Sequence, residues 1–137
     1  MGHPNIFPAL RYRDCPAAIE WLCEVLGFKK YVVYEDKGIV HHAELTHGEG
    51  MIMLGSSGKA EYDKLIQHPI DADYLNTQSP YIFVDNLDLH YQHAIKNGAE
   101  IVLPLKKDPH GSGYTCRDPE GHLWSFGDFN PWNQNPS

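Results

Sequence analysis

The chain has 137 residues, a length that predicts one domain with a hydrophobic core of its own. Hydrophobic residues make up 42% and charged residues 21%, as in a soluble globular protein, and no apolar run reaches the roughly 20 residues of a membrane-spanning helix. The formal net charge of −7 would repel a phosphate backbone, so we expect no nucleic-acid partner, and we expect no membrane partner either.

The N-terminus and the cysteines indicate the compartment. The start "MGHPNIFPAL" has no basic segment followed by an apolar core, so we expect no secretory signal. Cys15, Cys23 and Cys116 are odd in number and lack CxxC spacing, which predicts reduced thiols rather than a disulfide framework. A cytoplasmic location is therefore expected.

The first part of the chain is predicted to be β-α-β-β-β. A β-prone strand over residues 6–12 precedes a helix with Asp14 as its N-cap and Gly27 as its C-terminal stop. The segments "KKYVVYED", "IVHHAELT" and "MIMLGSS" predict three further strands. Residues 58–78 are polar and broken by Pro69, which predicts a connector with one short helix near residues 60–67 that covers a binding face.

The same order of elements then recurs. The segment "SPYIFVDN" predicts a strand, "LDLHYQHAIKNGAE" a helix that stops at Gly98, and "EIVLPL", "SGYTCRD" and "HLWSFGD" three more strands. Asp118 to Gly121 form a turn with proline at its second position. The chain is thus predicted to be a single α+β domain with module one at about 5–57, the connector at 58–78, module two at 79–130 and a tail at 131–137.

An internal repeat can be tested by register. Phe7 and Ser79 are 72 positions apart, Met53 and Ser125 are also 72 apart, and Gly27 and Gly98 are 71 apart. Agreement at both ends and in the middle favours a duplicated module. The alternative is an ordinary α+β fold without duplication.

With these motifs in place, the chain resembles the glyoxalase/bleomycin-resistance/dioxygenase group, the vicinal-oxygen-chelate superfamily. The resemblance covers nearly the whole chain and is sharpest in "YIFVDNLDLHYQHAIKNGAEIV" and "YTCRDPEGHLWSFGD". It implies two βαβββ modules that form a curled mixed sheet around a shared cavity. "AAIEWLCEVLGF", "HAEL" and "MIMLGS" look most like a glyoxalase-like or bleomycin-resistance-like branch of unassigned function. Fold alone does not fix the activity.

The resemblance also implies where a metal would bind. Metal-dependent members take four ligands from the first and last strands of each module, and the internal register assigns those places to Phe7, Met53, Ser79 and Ser125. None of these side chains is a good ligand for a hard or borderline divalent ion, so we expect no bound metal and no cofactor. A competing alignment through "AELTH" would make Glu44 a ligand, but it breaks the 72-residue offset.

Three histidines and a glutamate stand close together in "HHAELTH", residues 41–47. Along a strand, His42 and Glu44 share one face, whereas Ala43 and Leu45 share the other and should face the helix. His41 and His47 should sit at the strand ends near solvent, so the three histidines are not expected to converge. The same alternation predicts a mostly apolar, aromatic cup, lined for ligand binding by Phe7, Arg11, Met53, Ser79, Tyr81, Phe83 and Ser125.

Each polar residue of the cup has a functional and a structural interpretation. Glu44 is a candidate general base with His42 as its acid–base partner, or else each is simply solvated or paired. Arg11 either contacts a ligand or pairs with Glu44. Tyr81 and Phe83 either stack on a planar ligand or pack between the modules. The loop 108–114 resembles a cavity-rim loop of the family and could contact a ligand or a partner subunit.

Three classes of function remain open. The first is metal-free binding of a small organic molecule, in drug or metabolite sequestration, by a homodimer. Bleomycin-resistance members work as such dimers, with pockets at the interface and an acidic surface suited to cationic drugs. The second is a glyoxalase-like lyase or isomerase, metal-dependent or using Glu44 and His42. The third is a regulatory module whose cavity is filled by side chains. The missing ligand set slightly favours the first.

Overall fold

Two βαβββ modules follow each other along the chain, as the predicted fold class requires. The computed structural model describes residues 3–133; the last four positions of the predicted tail, 134–137, lie outside the described residues. Module one comprises β1 (Ala9–Tyr12), α1 (Cys15–Leu26), β2 (Lys29–Asp36), β3 (Ile39–His47) and β4 (Gly50–Ser56). Module two comprises β5 (Tyr81–Phe83), α2 (Leu87–Lys96), β6 (Glu100–Lys106), β7 (Gly113–Arg117) and β8 (Leu123–Gly127).

Each module forms a four-stranded mixed sheet. The strand order is β1-β4-β3-β2 in one sheet and β5-β8-β7-β6 in the other, with the first strand of each module parallel to the last and the remaining pairs antiparallel. No ladder joins the two sheets within residues 3–133. The α+β fold of two βαβββ modules is therefore confirmed, but the chain by itself forms two separate sheets rather than one that curls around a shared cavity.

The internal repeat is visible in matching hydrogen bonds. The Met53 amide donates to the Pro8 carbonyl at 2.9 Å, and the Ser125 amide donates to the Pro80 carbonyl at 3.1 Å. Both members of each pair are 72 positions from their counterparts. The register that the sequence predicted for the first and last strands of the modules is thus confirmed.

Helix α1 begins and ends where its sequence predicts. The Asp14 carboxylate accepts a hydrogen bond from the Ala17 amide at 3.2 Å, which satisfies one of the unpaired donors at a helix N-terminus. Gly27 ends the helix in the left-handed conformation, at φ 85°, which glycine adopts without a steric penalty. The apolar face of the helix is buried against sheet one through Ala18, Ile19, Leu22, Val25 and Leu26.

The two modules share one hydrophobic core. Helices α1 and α2 contact each other, and Trp124 of module two lies edge-on against Phe28 of module one, with ring centroids 5.4 Å apart. Trp124 and Phe126 are fully buried and belong to this core.

A second junction is made by the Asp118–Gly121 turn, which the sequence identified only as a turn. Asp118 is 3% exposed, and its carboxylate accepts hydrogen bonds from the Tyr12 hydroxyl at 2.6 Å and from the Trp124 indole at 3.0 Å. The Glu120 carboxylate accepts from the amides of Arg13 and Asp14, at 2.7 and 2.9 Å. The turn therefore fastens module two to the end of β1 and the start of α1.

Two segments differ from the predicted elements. Strand β1 begins at Ala9 rather than at residue 6, because residues 6–8 find no ladder partner beyond the single bond to the Pro8 carbonyl. The connector contains two short 3₁₀ turns, Tyr62–Leu65 and Pro69–Asp71, where one helix was predicted. None of the helices in residues 3–133 is long and apolar enough to cross a membrane.

Candidate functional site

The face of sheet one that points away from α1, here called open face one, carries the predicted site residues that lie on the strands of module one. Strand pairing aligns Ala9 with Met53, Met53 with Glu44 and Glu44 with Val32, so these four side chains form one row across the sheet. The neighbouring residues Ala43 and Leu45 are fully buried on the helix side, as the alternation predicted.

His42 and Glu44 form a hydrogen-bonded pair on open face one. The His42 Nε2 atom lies 2.8 Å from the Glu44 carboxylate, and the Glu44 side chain is 25% exposed. The ring of His42 also stacks against Tyr34 with centroids 6.5 Å apart. The structure therefore brings the two predicted catalytic candidates into direct contact, in an arrangement that can share or transfer a proton.

The prediction for His47 is wrong, whereas that for His41 is confirmed. His41 is exposed, but His47 is half-buried between the modules, where its Nε2 donates to the Leu26 carbonyl at 3.0 Å. His90 of α2 donates to the same carbonyl at 2.8 Å, with the two imidazole centroids 5.7 Å apart. The sequence could not reveal this contact because the partner of His47 lies on a helix of the other module.

Because His47 and His90 are partly buried, we expect the protein to lose stability in acid. Burial lowers the pKa of both His47 and His90 below the ordinary value of 6.5. The unfolded chain therefore takes up protons first as the pH falls through 6.5, and the free energy of unfolding should decrease from there towards pH 5. Urea unfolding of the wild type at several pH values measures this slope.

The His47→Gln/His90→Gln variant, in which an amide can still donate to Leu26, serves as the comparison. It should show a flatter dependence than the wild type between pH 7.5 and about 5. Identical slopes for the two proteins would contradict the assignment. Exposed His41→Gln is the matched control and should leave the slope unchanged.

Arg11 does not pair with Glu44. Its guanidinium donates to the Ser56 carbonyl at 3.2 Å and lies over the Tyr62 ring, 5.4 Å from the centroid. Tyr62 belongs to the connector, so the connector contacts open face one at Arg11, as expected of a segment that covers a binding face.

A pocket of about 320 Å³ opens beside Arg11, here called pocket one. It brings together three of the predicted site residues, Arg11, His42 and Met53, and it lies next to Glu44 in the strand register. Its lining residues all come from module one and the connector: Ala9, Leu10, Arg11, His41, His42, Met53, Leu54, Gly55 and Tyr62.

The corresponding face of sheet two, open face two, carries the predicted site residues that lie on the strands of module two. Tyr81 pairs with Ser125, and Ser125 pairs with Thr115, so a second row matches the first. The Ser125 and Thr115 hydroxyls are hydrogen-bonded at 2.8 Å. The Tyr81 hydroxyl donates to the Phe129 carbonyl at 2.8 Å and accepts from the Phe129 amide at 3.1 Å, so it holds the segment after β8.

A second pocket of about 430 Å³, pocket two, lies at the end of this face. Phe83 is its one predicted site residue, and the loop 108–111, predicted as a cavity rim, forms part of its wall. Sequence reasoning missed the segment after β8, whose "GDFN" run supplies an acid, an aromatic ring and an amide. The lining residues are Phe83, Asp108, Pro109, His110, Gly111, Asp128, Phe129, Asn130 and Asn133.

The single predicted cup is therefore divided between two pockets. Phe7 and Ser79 precede their strands and are exposed, and neither lines pocket one or pocket two. Tyr81 and Ser125 lie on open face two outside the lining of pocket two. The two modules pack against each other through their helices, and this packing leaves the two open faces apart from each other.

The residues at the superfamily's metal positions do not fit a metal. Of the four positions that the internal register assigned, Met53 and Ser125 lie on the last strands of their modules, whereas Phe7 and Ser79 precede β1 and β5. A phenyl ring, a thioether and two neutral hydroxyls are poor donors for a hard or borderline divalent ion. Residues 3–133 contain no group of three or more histidine, cysteine, aspartate or glutamate side chains that could hold an ion together.

Several solved structures share the fold. TioX from Micromonospora sp. ML1 is 28% identical, with a TM-score of 0.71, over 93% of this chain and 98% of that chain. UcmS2 is 21% identical, with a TM-score of 0.75, over 94% of this chain and 100% of that one. The bleomycin-binding protein of bleomycin-producing Streptomyces verticillus, solved in complex with copper(II)-bleomycin, is 21% identical, with a TM-score of 0.62, over 92% of this chain and 96% of that chain.

No curated protein sequence matches the chain significantly. A family model does match, over residues 3–126, and it therefore covers both modules, the connector and both open faces. By that match and by its two βαβββ modules, the chain belongs to the Glyoxalase/Bleomycin resistance protein/Dioxygenase superfamily.

Proposed function

We propose that this protein binds a small organic molecule on its open faces without a metal, in the sequestration of a drug or metabolite. The observation that carries the proposal is the pair of open-face pockets, of about 320 and 430 Å³, each of which combines aromatic or apolar groups with polar ones. Such linings suit amphipathic ligands. The similarity to a bleomycin-binding protein supports this class of function. In this proposal, Arg11, Met53 and Phe83 contact the ligand.

We propose that a homodimer is the binding form. Both pockets are open in the single chain, and large apolar side chains lie exposed on or beside the sheets, among them Tyr34, Tyr81 and Leu103. A second copy that covers these faces would remove that apolar surface from water and enclose the pockets. Light scattering during gel filtration should give twice the mass of the chain; a monomer at high concentration would contradict this.

Calorimetric titration tests the binding function. Bleomycin, with and without copper(II), and a panel of aromatic metabolites should include at least one compound that binds saturably at one or two sites per chain. Absence of saturable binding across the panel would contradict the proposal. Elemental analysis of the purified protein tests the metal-free aspect, because stoichiometric nickel, zinc, manganese or iron would overturn it.

The His42–Glu44 hydrogen bond favours a second candidate, a glyoxalase-like lyase or isomerase that uses this pair for proton transfer. In such an enzyme, Glu44→Gln would lower kcat by about 100-fold or more with little change in KM. Turnover that is equal in the wild type and Glu44→Gln would exclude the pair as its catalyst.

The free cysteines support a cytoplasmic location. Cys15 and Cys116 are buried, and none of the three cysteines forms a disulfide. Burial raises the pKa of the Cys15 and Cys116 thiols to about 12, so they remain protonated and poorly reactive. Fractionation of the source cells tests the location, and recovery from the extracellular fraction would contradict it.

A further inference from the structure

The charges of pocket one are opposite to those of the chain as a whole. The chain carries 18 acidic residues against 11 lysines and arginines, yet the lining of pocket one contains no carboxylate, and its permanently charged side chain is Arg11, beside His41 and His42. Pocket two has the reverse character, since its lining includes Asp108 and Asp128. A pocket lined by one sign of charge concentrates ligands of the other sign.

Arg11 has no carboxylate partner among the described residues. The other two arginines are paired, Arg13 with Asp71 and Arg117 with Glu100. Arg11 instead uses a neutral backbone carbonyl and the face of an aromatic ring. A half-buried guanidinium in this situation has lost part of its hydration without gaining a counter-ion, so an anion that reaches it would be favoured.

Glu44, a carboxylate close to the pocket, is already engaged. Glu44 lies beside Met53 in the strand register, but its oxygen is hydrogen-bonded to His42 at 2.8 Å. The Glu44 carboxylate is thereby directed towards the His42 imidazole rather than towards Arg11. Arg11 remains the strongest charge that faces the pocket.

The remaining walls suit a flat apolar group. Ala9 and Met53 lie side by side on the sheet, and the Tyr62 ring lies on the connector side of Arg11. Thioether and aromatic side chains both make favourable contacts with a ring. The volume of about 320 Å³ has room for one or two fused rings and a short acidic arm.

We infer that pocket one selects small aromatic anions, with a carboxylate or similar acidic group held by Arg11 and the ring held against Tyr62 and Met53. This inference rests on the proposed small-molecule binding and adds the chemical class of the ligand. It differs from the cationic ligands that the overall acidity of the protein would favour.

Three compounds with a common ring test the charge preference. Indoleacetate, indoleacetamide and tryptamine differ mainly in carrying a negative, no or a positive charge, and each is titrated into the wild-type protein by calorimetry at neutral pH. Indoleacetate should bind at least about 10-fold more tightly than the other two, and its affinity should fall with added salt. Equal affinities, or a preference for tryptamine, would overturn the inference while leaving small-molecule binding intact.

Variants at Arg11 localise the effect. Arg11→Met should weaken indoleacetate binding by about 10- to 100-fold, the loss of one charged hydrogen bond, and leave indoleacetamide nearly unchanged. Lys59→Met, which makes the same change in net charge at an exposed connector position, should change neither. Circular dichroism and melting temperature confirm that both variants fold.

Two further results would overturn the inference. If Arg11→Met weakened all three compounds equally, or altered only the dimer content measured by light scattering, Arg11 would serve packing or subunit contact. If none of the three compounds bound the wild type, the inference would fail. The proposed small-molecule binding would then be decided by the calorimetric titration with the wider panel of compounds.

Discussion

Replacement of Asp118 by alanine is expected to lower the free energy of unfolding by about 3–5 kcal/mol. The carboxylate is buried and accepts hydrogen bonds from the Tyr12 hydroxyl and the Trp124 indole. Alanine would leave both donors unpaired in the core, and each unpaired donor costs about 1–3 kcal/mol. The turn would also lose the bonds that Asp118 accepts from the amides of Glu120 and His122. Urea unfolding followed by tryptophan fluorescence measures the change.

Two comparisons make this result specific. Tyr12→Phe removes one of the two side-chain donors and should cost only about 1–2 kcal/mol. Asp85→Ala, at an exposed position, should cost less than about 0.5 kcal/mol. An Asp118→Ala effect no larger than that of Asp85→Ala would contradict the role of this junction. Because the junction joins both modules, we also propose that the chain unfolds in a single cooperative transition, and two separate transitions would contradict that.

Replacement of Gly127 by alanine should cost about 2–3 kcal/mol. Gly127 ends β8, and an added Cβ there would lie 2.8 Å from the Ser112 carbonyl oxygen and would overlap the Tyr81 hydroxyl. The Ser112 carbonyl has little freedom to move, because it accepts a hydrogen bond from the Asp128 amide at 3.1 Å. The close approach also lets Tyr81 cross the strand and hold Phe129 beside pocket two. Chemical unfolding of the variant gives the magnitude.

Gly58 provides the matched control, since a Cβ at that position meets nothing within 4 Å. Gly58→Ala should therefore change stability by less than about 0.5 kcal/mol. In a Tyr81→Ala background, Gly127→Ala should cost less than in the wild type, because part of the overlap is gone. If Gly127→Ala were as mild as Gly58→Ala, the close packing at this strand end would be refuted.

Local rules account for the parts of the fold that the sequence predicts well. Strand alternation correctly places His42 and Glu44 on one face and Ala43 and Leu45 on the other. Asp14 and Gly27 mark the two ends of α1, because capping depends on neighbouring residues. The 72-residue register of the first and last strands follows from the repeat itself.

Contacts between the modules account for most of what the sequence does not reveal. His47 stands at a strand end, where exposure is the usual outcome, but His90 and Phe126 of module two cover it. In the sequence Asp118 resembles an ordinary turn residue, but in the structure its carboxylate accepts a hydrogen bond from Tyr12, 106 positions away. Neither partner can be recognised from local spacing.

The division of the site has the same origin. Alternation correctly identifies which residues face away from the helices, but it does not say whether the two open faces meet. Arg11 and Glu44 share open face one, yet Glu44 pairs with His42 and Arg11 with Ser56 and Tyr62. The choice among these partners depends on side-chain reach and on the connector, and no sequence pattern specifies either.

The most direct measurement of ligand binding at the open faces is a backbone-amide chemical-shift titration of the labelled protein with indoleacetate, indoleacetamide and tryptamine in turn. At least one compound, and indoleacetate above the others, should cause saturable shifts that centre on residues 9–11, 41–44 and 53–55, which surround pocket one. Saturable shifts confined to residues outside both open faces would contradict ligand binding at these faces, and no shift with any of the three compounds would contradict the anion preference of pocket one.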